Sequence, residues 1–200
     1  PQLAASHKFI LLRGETVAPD GQKVPLAYCV SRQTGRAVIE TLDREGKVQM
    51  RARYDGIKSL SNEIIKAGKT IEFSYTEPGA KFTHPKPGEA ASFTVSFNDV
   101  NQQARSFTVG LKVEKAEPVE VSGCKLSPIR ILRQNTDSSG VVVNFSILFS
   151  PELNWPVTSE TKGMPATQGG SPARPAVLTQ MTTIAPAEEA QRICEAAQKP

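Results

Sequence analysis

Alternation of apolar and polar positions dominates this chain, and a period of two is the strand signature. It is clearest over 105–115, where Phe107, Val109, Leu111 and Val113 share one face and Thr108, Gly110, Lys112 and Glu114 the other. Residues 92–97 repeat it, with Phe93, Val95 and Phe97 against Ser92, Thr94 and Ser96. The intervening Asn98-Asp99-Val100-Asn101 has turn composition, so 92–115 predicts a β-hairpin. A second pair, 126–133 and 140–149, is joined across Asn135-Thr136-Asp137-Ser138-Ser139-Gly140, with Phe145, Ile147 and Phe149 on its inner face. Further strands are predicted at 7–13, 24–31, 36–42, 48–54, 71–75, 156–162 and 174–183.

Strands recur at short intervals with turn signals between them and no long amphipathic helix. That spacing predicts an antiparallel, mainly β domain: a strongly curved sheet or an open or closed barrel, wrapped on its own core. Two segments have helical spacing. Ser59 to Ala67 carries Leu60, Ile64 and Ile65 before Gly68, and reads as one or two helical turns or a strand edge. Residues 186–197 open on Pro186, with Glu188 and Glu189 in the first turn, where the helix dipole favours acids. Ala187, Ala190, Ile193, Cys194 and Ala197 then form a stripe that docks this C-terminal helix on the sheet. Residues 1–200 read as one domain, with 1–6 and 163–175 flexible.

Composition narrows the function classes. Among 200 residues there are 15 Pro, 14 Gly, 2 His, 3 Cys and 1 Trp. Neither His7 nor His84 lies in a zinc spacing, and no Cys-x-x-Cys occurs, so no metal or other cofactor is expected. A formal charge of +4 is spread along the chain, through Arg13, Lys112, Arg130 and Arg133 among others. It reads as a solvated basic surface and not as a nucleic-acid footprint. No apolar run reaches the roughly 18–20 residues of a membrane helix. Gly-x-Ser-x-Gly, Gly-x-Gly-x-x-Gly and P-loop patterns are absent, and no cysteine carries a nucleophile signature.

The three cysteines, Cys29, Cys124 and Cys194, allow three pairings. Cys194 lies on the inward stripe of the terminal helix, which makes a tie from that helix to the sheet attractive. A disulfide and a turn-rich β composition favour export. Pro151 ends the strand before it, because it cannot donate to a ladder. Trp155 then supplies a large apolar anchor, so 150–157 reads as a β-corner pinned by an indole.

One stretch carries a resemblance. Val119-Glu120-Val121-Ser122-Gly123, a strand with Ile129 and Ile131, a hairpin, then Phe149-Ser150-Pro151-Glu152-Leu153 and Pro156-Val157 with Glu160 resembles the C-terminal half of uncharacterised exported β-rich domains of bacterial envelopes. These are similar in plan to the half-barrels of lipoprotein-carrier proteins. Asn154 stands where that pattern has glycine, and Cys124 where a small polar residue is usual. The resemblance implies an exported, periplasmic or cell-envelope protein and assigns no site residue. The expected function is non-enzymatic: a concave β face, lined by Phe93, Val95, Phe107, Val109, Phe145 and Ile147, that binds a lipid or other apolar molecule. The alternative is a structural or assembly factor of the envelope that acts through protein contacts at an edge strand or apolar patch. A hydrolase or thiol enzyme is the third reading.

Overall fold

The structure, a computed structural model, describes residues 8–33, 36–162 and 176–198. The stretches 1–6 and 163–175, expected to be flexible, lie outside the described residues. The strands are β1 (Phe9–Val17), β2 (Lys23–Gln33), β3 (Arg36–Leu42), β4 (Val48–Asp55), β5 (Lys58–Ile64), β6 (Lys69–Tyr75), β7 (Ala90–Asn98) and β8 (Ala104–Lys115). They continue as β9 (Val119–Val121), β10 (Cys124–Leu126), β11 (Ile129–Asp137), β12 (Val142–Ser150), β13 (Trp155–Thr161) and β14 (Val177–Ile184), and α1 (Ala187–Ala197) follows. Twelve strands close an antiparallel barrel in the order β1-β14-β13-β12-β11-β8-β7-β6-β5-β4-β3-β2, and β9 and β10 form a separate two-stranded hairpin. The architecture is thus a closed barrel with a C-terminal helix, one of the forms that the alternation predicted.

Three of the hairpin turns at one end repeat a single device. Asp43, Asp99 and Asp137 each accept backbone N–H bonds from the residues two and four positions on, at 2.8–3.0 Å. The position after the turn has positive φ, at Gly46, Gln102 and Gly140. An aspartate that caps its own turn, followed by a left-handed residue, fixes the register of the strands on either side.

A barrel of about eight strands is just filled by its inward side chains. Twelve strands enclose more space, and at one end the β9–β10 hairpin fills it. Val121, Cys124 and Leu126 are buried among the inward residues Leu12, Val30, Ile39, Val157 and Met181. The Ser122 hydroxyl accepts the N–H of Ile184 at 3.1 Å and ties the hairpin to β14. Cys124 therefore lies in a short buried strand and not in a turn, and β11 begins only at Ile129.

Helix α1 packs outside the barrel. Ala190 and Cys194 meet Phe9, Leu11, Cys29 and Leu42, the outward positions of β1 to β3. Beneath them Glu40 is only 2% exposed. Its carboxylate accepts from Arg51 Nε at 2.9 Å and from Gln198 Nε2 at 2.8 Å, so this buried charge is paired. Cys29 and Cys194 form a disulfide across 165 residues, and Cys124 is the free thiol.

Of the two forms read for 59–67, a helical turn or a strand, the structure contains both, and at the corner the anchor differs. Residues 59–64 are strand β5, and only Ile65–Ala67 forms a helical turn, a 3-10 one, closed by Gly68 at φ 58°. At the corner 150–155, the buried anchor is Leu153, 1% exposed, while Trp155 is half-buried and already belongs to β13. Asn154 has φ 51°, so it meets the left-handed backbone that glycine would supply there.

The disulfide closes almost the whole chain into one loop. Cys194→Ser is expected to lower the unfolding free energy by about 2–5 kcal/mol, read from urea denaturation, with the barrel still folded in the absence of denaturant.

Candidate ligand cavity

The hairpin fills the barrel beside β1, β2, β3, β13 and β14, and leaves space on the opposite side. There the inward side chains of β5 to β8, β11 and β12 surround a cavity of about 210 Å³. Its walls are Phe73 of β6, Phe93 and Val95 of β7, Phe107, Val109 and Leu111 of β8, Ile131 of β11 and Ile147 of β12. Strand pairing sets this alignment: Phe93 is opposite Val109, Val95 opposite Phe107, and Ile131 opposite Ile147.

The segment between β6 and β7, residues 76–89, covers one end and contributes Gly79 and Phe82 to the lining. It is held by Ile57 N–H donating to the Thr83 carbonyl at 2.9 Å and by Lys58 Nζ donating to the Ala80 carbonyl at 2.6 Å. A Cβ on Gly79 would lie 2.3 Å from Cγ of Phe93, so only glycine lets this backbone rest on the ring.

The polar part of the lining is small and one-sided. It comprises Tyr54, Lys58, Ser59, Asn62, Tyr75 and Arg133, with no carboxylate, histidine or cysteine among the lining residues. Tyr75 donates its hydroxyl to the Ser59 carbonyl at 2.6 Å. Burial pushes the Tyr75 phenol up to about 12 and raises Tyr54 as well. Arg133 Nε donates to Asn135 Oδ1 at 2.7 Å, and its guanidinium lies 5.8 Å from the ring centres of both Phe107 and Phe145. Burial disfavours its charge and lowers its pKa, partly offset by the Tyr75 and Tyr54 hydroxyls. Trp155 joins this side of the barrel to the filled side, meeting Tyr54 edge-on at 5.5 Å and Tyr28 at a tilt at 5.2 Å between ring centres.

Of the six apolar positions named from the sequence, Phe93, Val95, Phe107, Val109 and Ile147 line the cavity. Phe145 does not; its ring faces Arg133. Pro151 is exposed at the corner, and Cys29, Cys124 and Cys194 lie away from the cavity. His84 is exposed, with Nε2 3.6 Å from Asp55 Oδ1. The sequence reading missed Tyr54, Lys58, Tyr75 and above all Arg133, which it placed on a solvated surface. The signal was present: Ile129, Ile131 and Arg133 occupy one alternation phase, so an inward phase that is otherwise apolar carries a cation. Among the described residues no group of three metal-ligating side chains comes together, and no helix is long and apolar enough to cross a membrane.

Fold and site together define a closed, internally plugged β-barrel with a residual aromatic cavity. No family model matches the chain, and no curated protein matches it. Among solved structures the chain is similar to the hypothetical lipoprotein YmcC from Escherichia coli K12, at a TM-score of 0.49 and 10% identity over 92% of each chain. At that score the likeness is loose, and nothing passes from that protein to this one.

The raised phenols carry a pH signature. A tyrosine held neutral in the fold but ionising near 10 when unfolded stabilises the fold fully below pH 10. For Tyr75 that contribution is lost as pH rises from about 10 to about 12, because the unfolded chain releases its proton first. Ultraviolet titration is expected to show tyrosine ionisation delayed beyond pH 10, and Tyr75→Phe to flatten the fall in stability over that interval.

Proposed function

We propose that this is a non-enzymatic protein of the bacterial periplasm or cell envelope that holds a small apolar or amphiphilic molecule inside its barrel. The observation that carries the reading is the cavity itself, walled by Phe73, Phe93, Val95, Phe107, Val109 and Ile147 and left unfilled by the hairpin that occupies the rest of the interior. Its 210 Å³ lies just below the roughly 300–1,000 Å³ of drug-sized ligand pockets. That size suits one short chain or one ring and excludes a two-chain lipid. Each methylene transferred from water to such walls contributes about 0.8 kcal/mol, so even a short chain binds measurably.

Two further observations support the reading. The lining holds no carboxylate or histidine to act as a general base near neutral pH and no cysteine nucleophile, and its Ser59 has no such base beside it in the lining. The Cys29–Cys194 disulfide favours an oxidising compartment. The assembly-factor alternative draws on a free strand edge or an apolar patch, and of these the edge is closed, because all twelve barrel strands are paired on both sides.

The test is titration with 1-octanol, followed through the fluorescence of Trp155 and through the melting temperature. Saturable binding is expected, and Val109→Phe, which adds bulk to the cavity wall, is expected to weaken it at least about tenfold. Absence of any saturable change in the wild-type protein overturns the reading. Protein isolated from its native compartment should titrate with one free thiol; three would overturn the assignment to an oxidising compartment.

A further inference from the structure

Arg133 is the anomaly of the barrel interior. A guanidinium has five N–H donors, and burying one without a carboxylate partner is costly. Among the described residues Arg133 makes no salt bridge, and its only side-chain hydrogen bond runs from Nε to Asn135. The aromatic contacts with Phe107 and Phe145 steady the charge but use no N–H donor.

Its two terminal nitrogens, Nη1 and Nη2, therefore have no protein acceptor. They are not sealed off either, since no fully buried side-chain nitrogen or oxygen in the described structure lacks a partner. They border open space. The residue lines the cavity, and the other cation there, Lys58, donates to the Ala80 carbonyl and lies 5.7 Å from the centre of the Tyr75 ring. A lining with two cations and no acid is complementary to an anion. The forked geometry of two free guanidinium nitrogens matches a carboxylate or another oxyanion with paired oxygens.

We propose that the ligand is an anionic amphiphile, with its oxyanion head on Nη1 and Nη2 of Arg133 and its apolar tail between Phe93, Val95, Val109 and Ile147. This rests on the cavity-binding reading above and adds the chemistry of the head group. Asn135 is a positioning residue: its hydrogen bond to Nε fixes the plane of the guanidinium and leaves the other two nitrogens free for the ligand.

Octanoate and 1-octanol have the same tail and differ in charge, so their affinities for the wild-type protein, measured by calorimetry at low salt, separate the two claims. Octanoate is expected to bind at least about tenfold more tightly, about 1.4 kcal/mol. Arg133→Gln is expected to abolish that preference by bringing octanoate affinity down to that of octanol, and Arg133→Lys, which keeps the charge but loses the fork, to give an intermediate preference. Equal binding of the two probes, or tighter binding of octanol, overturns the anionic assignment and leaves the cavity reading standing. Binding of neither overturns both. The wild-type comparison needs no variant, so it decides even if Arg133→Gln fails to fold.

Discussion

A closed antiparallel barrel of twelve strands encloses more volume than its own inward side chains can fill. The interior of this molecule answers that constraint. Closure removes the exposed strand edges that make an open sheet prone to wrong pairing. It also creates an interior that must be filled, hydrated or occupied. The chain fills one side with a piece of itself, the β9–β10 hairpin, between two strands that are otherwise neighbours in the barrel wall. The other side keeps a cavity. The plug and the cavity are thus two outcomes of one geometric surplus, divided by Trp155, whose indole touches Tyr28 on the filled side and Tyr54 on the open one.

The exterior follows a separate logic. Outward positions are mostly polar or charged, as at Arg53, Ser92, Lys112, Arg130 and Asn144. This is the reverse of a membrane-spanning barrel, which presents an apolar band outward and a polar lumen. The exception is the outer face of β1 to β3, where Phe9, Leu11, Cys29 and Leu42 form an apolar patch. Helix α1 covers that patch, and the disulfide locks the cover in place. The terminal helix therefore completes the outer surface and does not compete with a ligand for the interior.

Most of the wall was legible in the sequence because each strand has one apolar and one polar side, and alternation reports that directly. Residues 92–97 and 105–115 show it well. Strand β5 was obscured for a physical reason. Between Ser59 and Ser61 an extra residue, Leu60, bulges out of register with β4, and the inward positions Ser59 and Asn62 are polar because they belong to the cavity. A bulge together with polar lining erased the period of two and left a spurious helical spacing. The hairpin plug was equally hidden: three-residue strands are too short to establish a period, and Leu126 read as the start of the strand 126–133.

The cavity was legible only in part, since an inward phase looks the same whether it meets core or empty space. What separates the two is a residue that makes poor core. Phe, Val and Ile in the inward phase are explained by burial alone. Arg133 is not, because desolvating a guanidinium works against folding unless something offsets it. Two aromatic rings and Asn135 offset part of that cost, and they leave the two terminal nitrogens without a protein acceptor among the described residues. A core built for stability alone would place a leucine at this position, in line with Ile129 and Ile131. The retained charge is therefore the feature of the interior that packing does not explain and that the proposed oxyanion contact would account for.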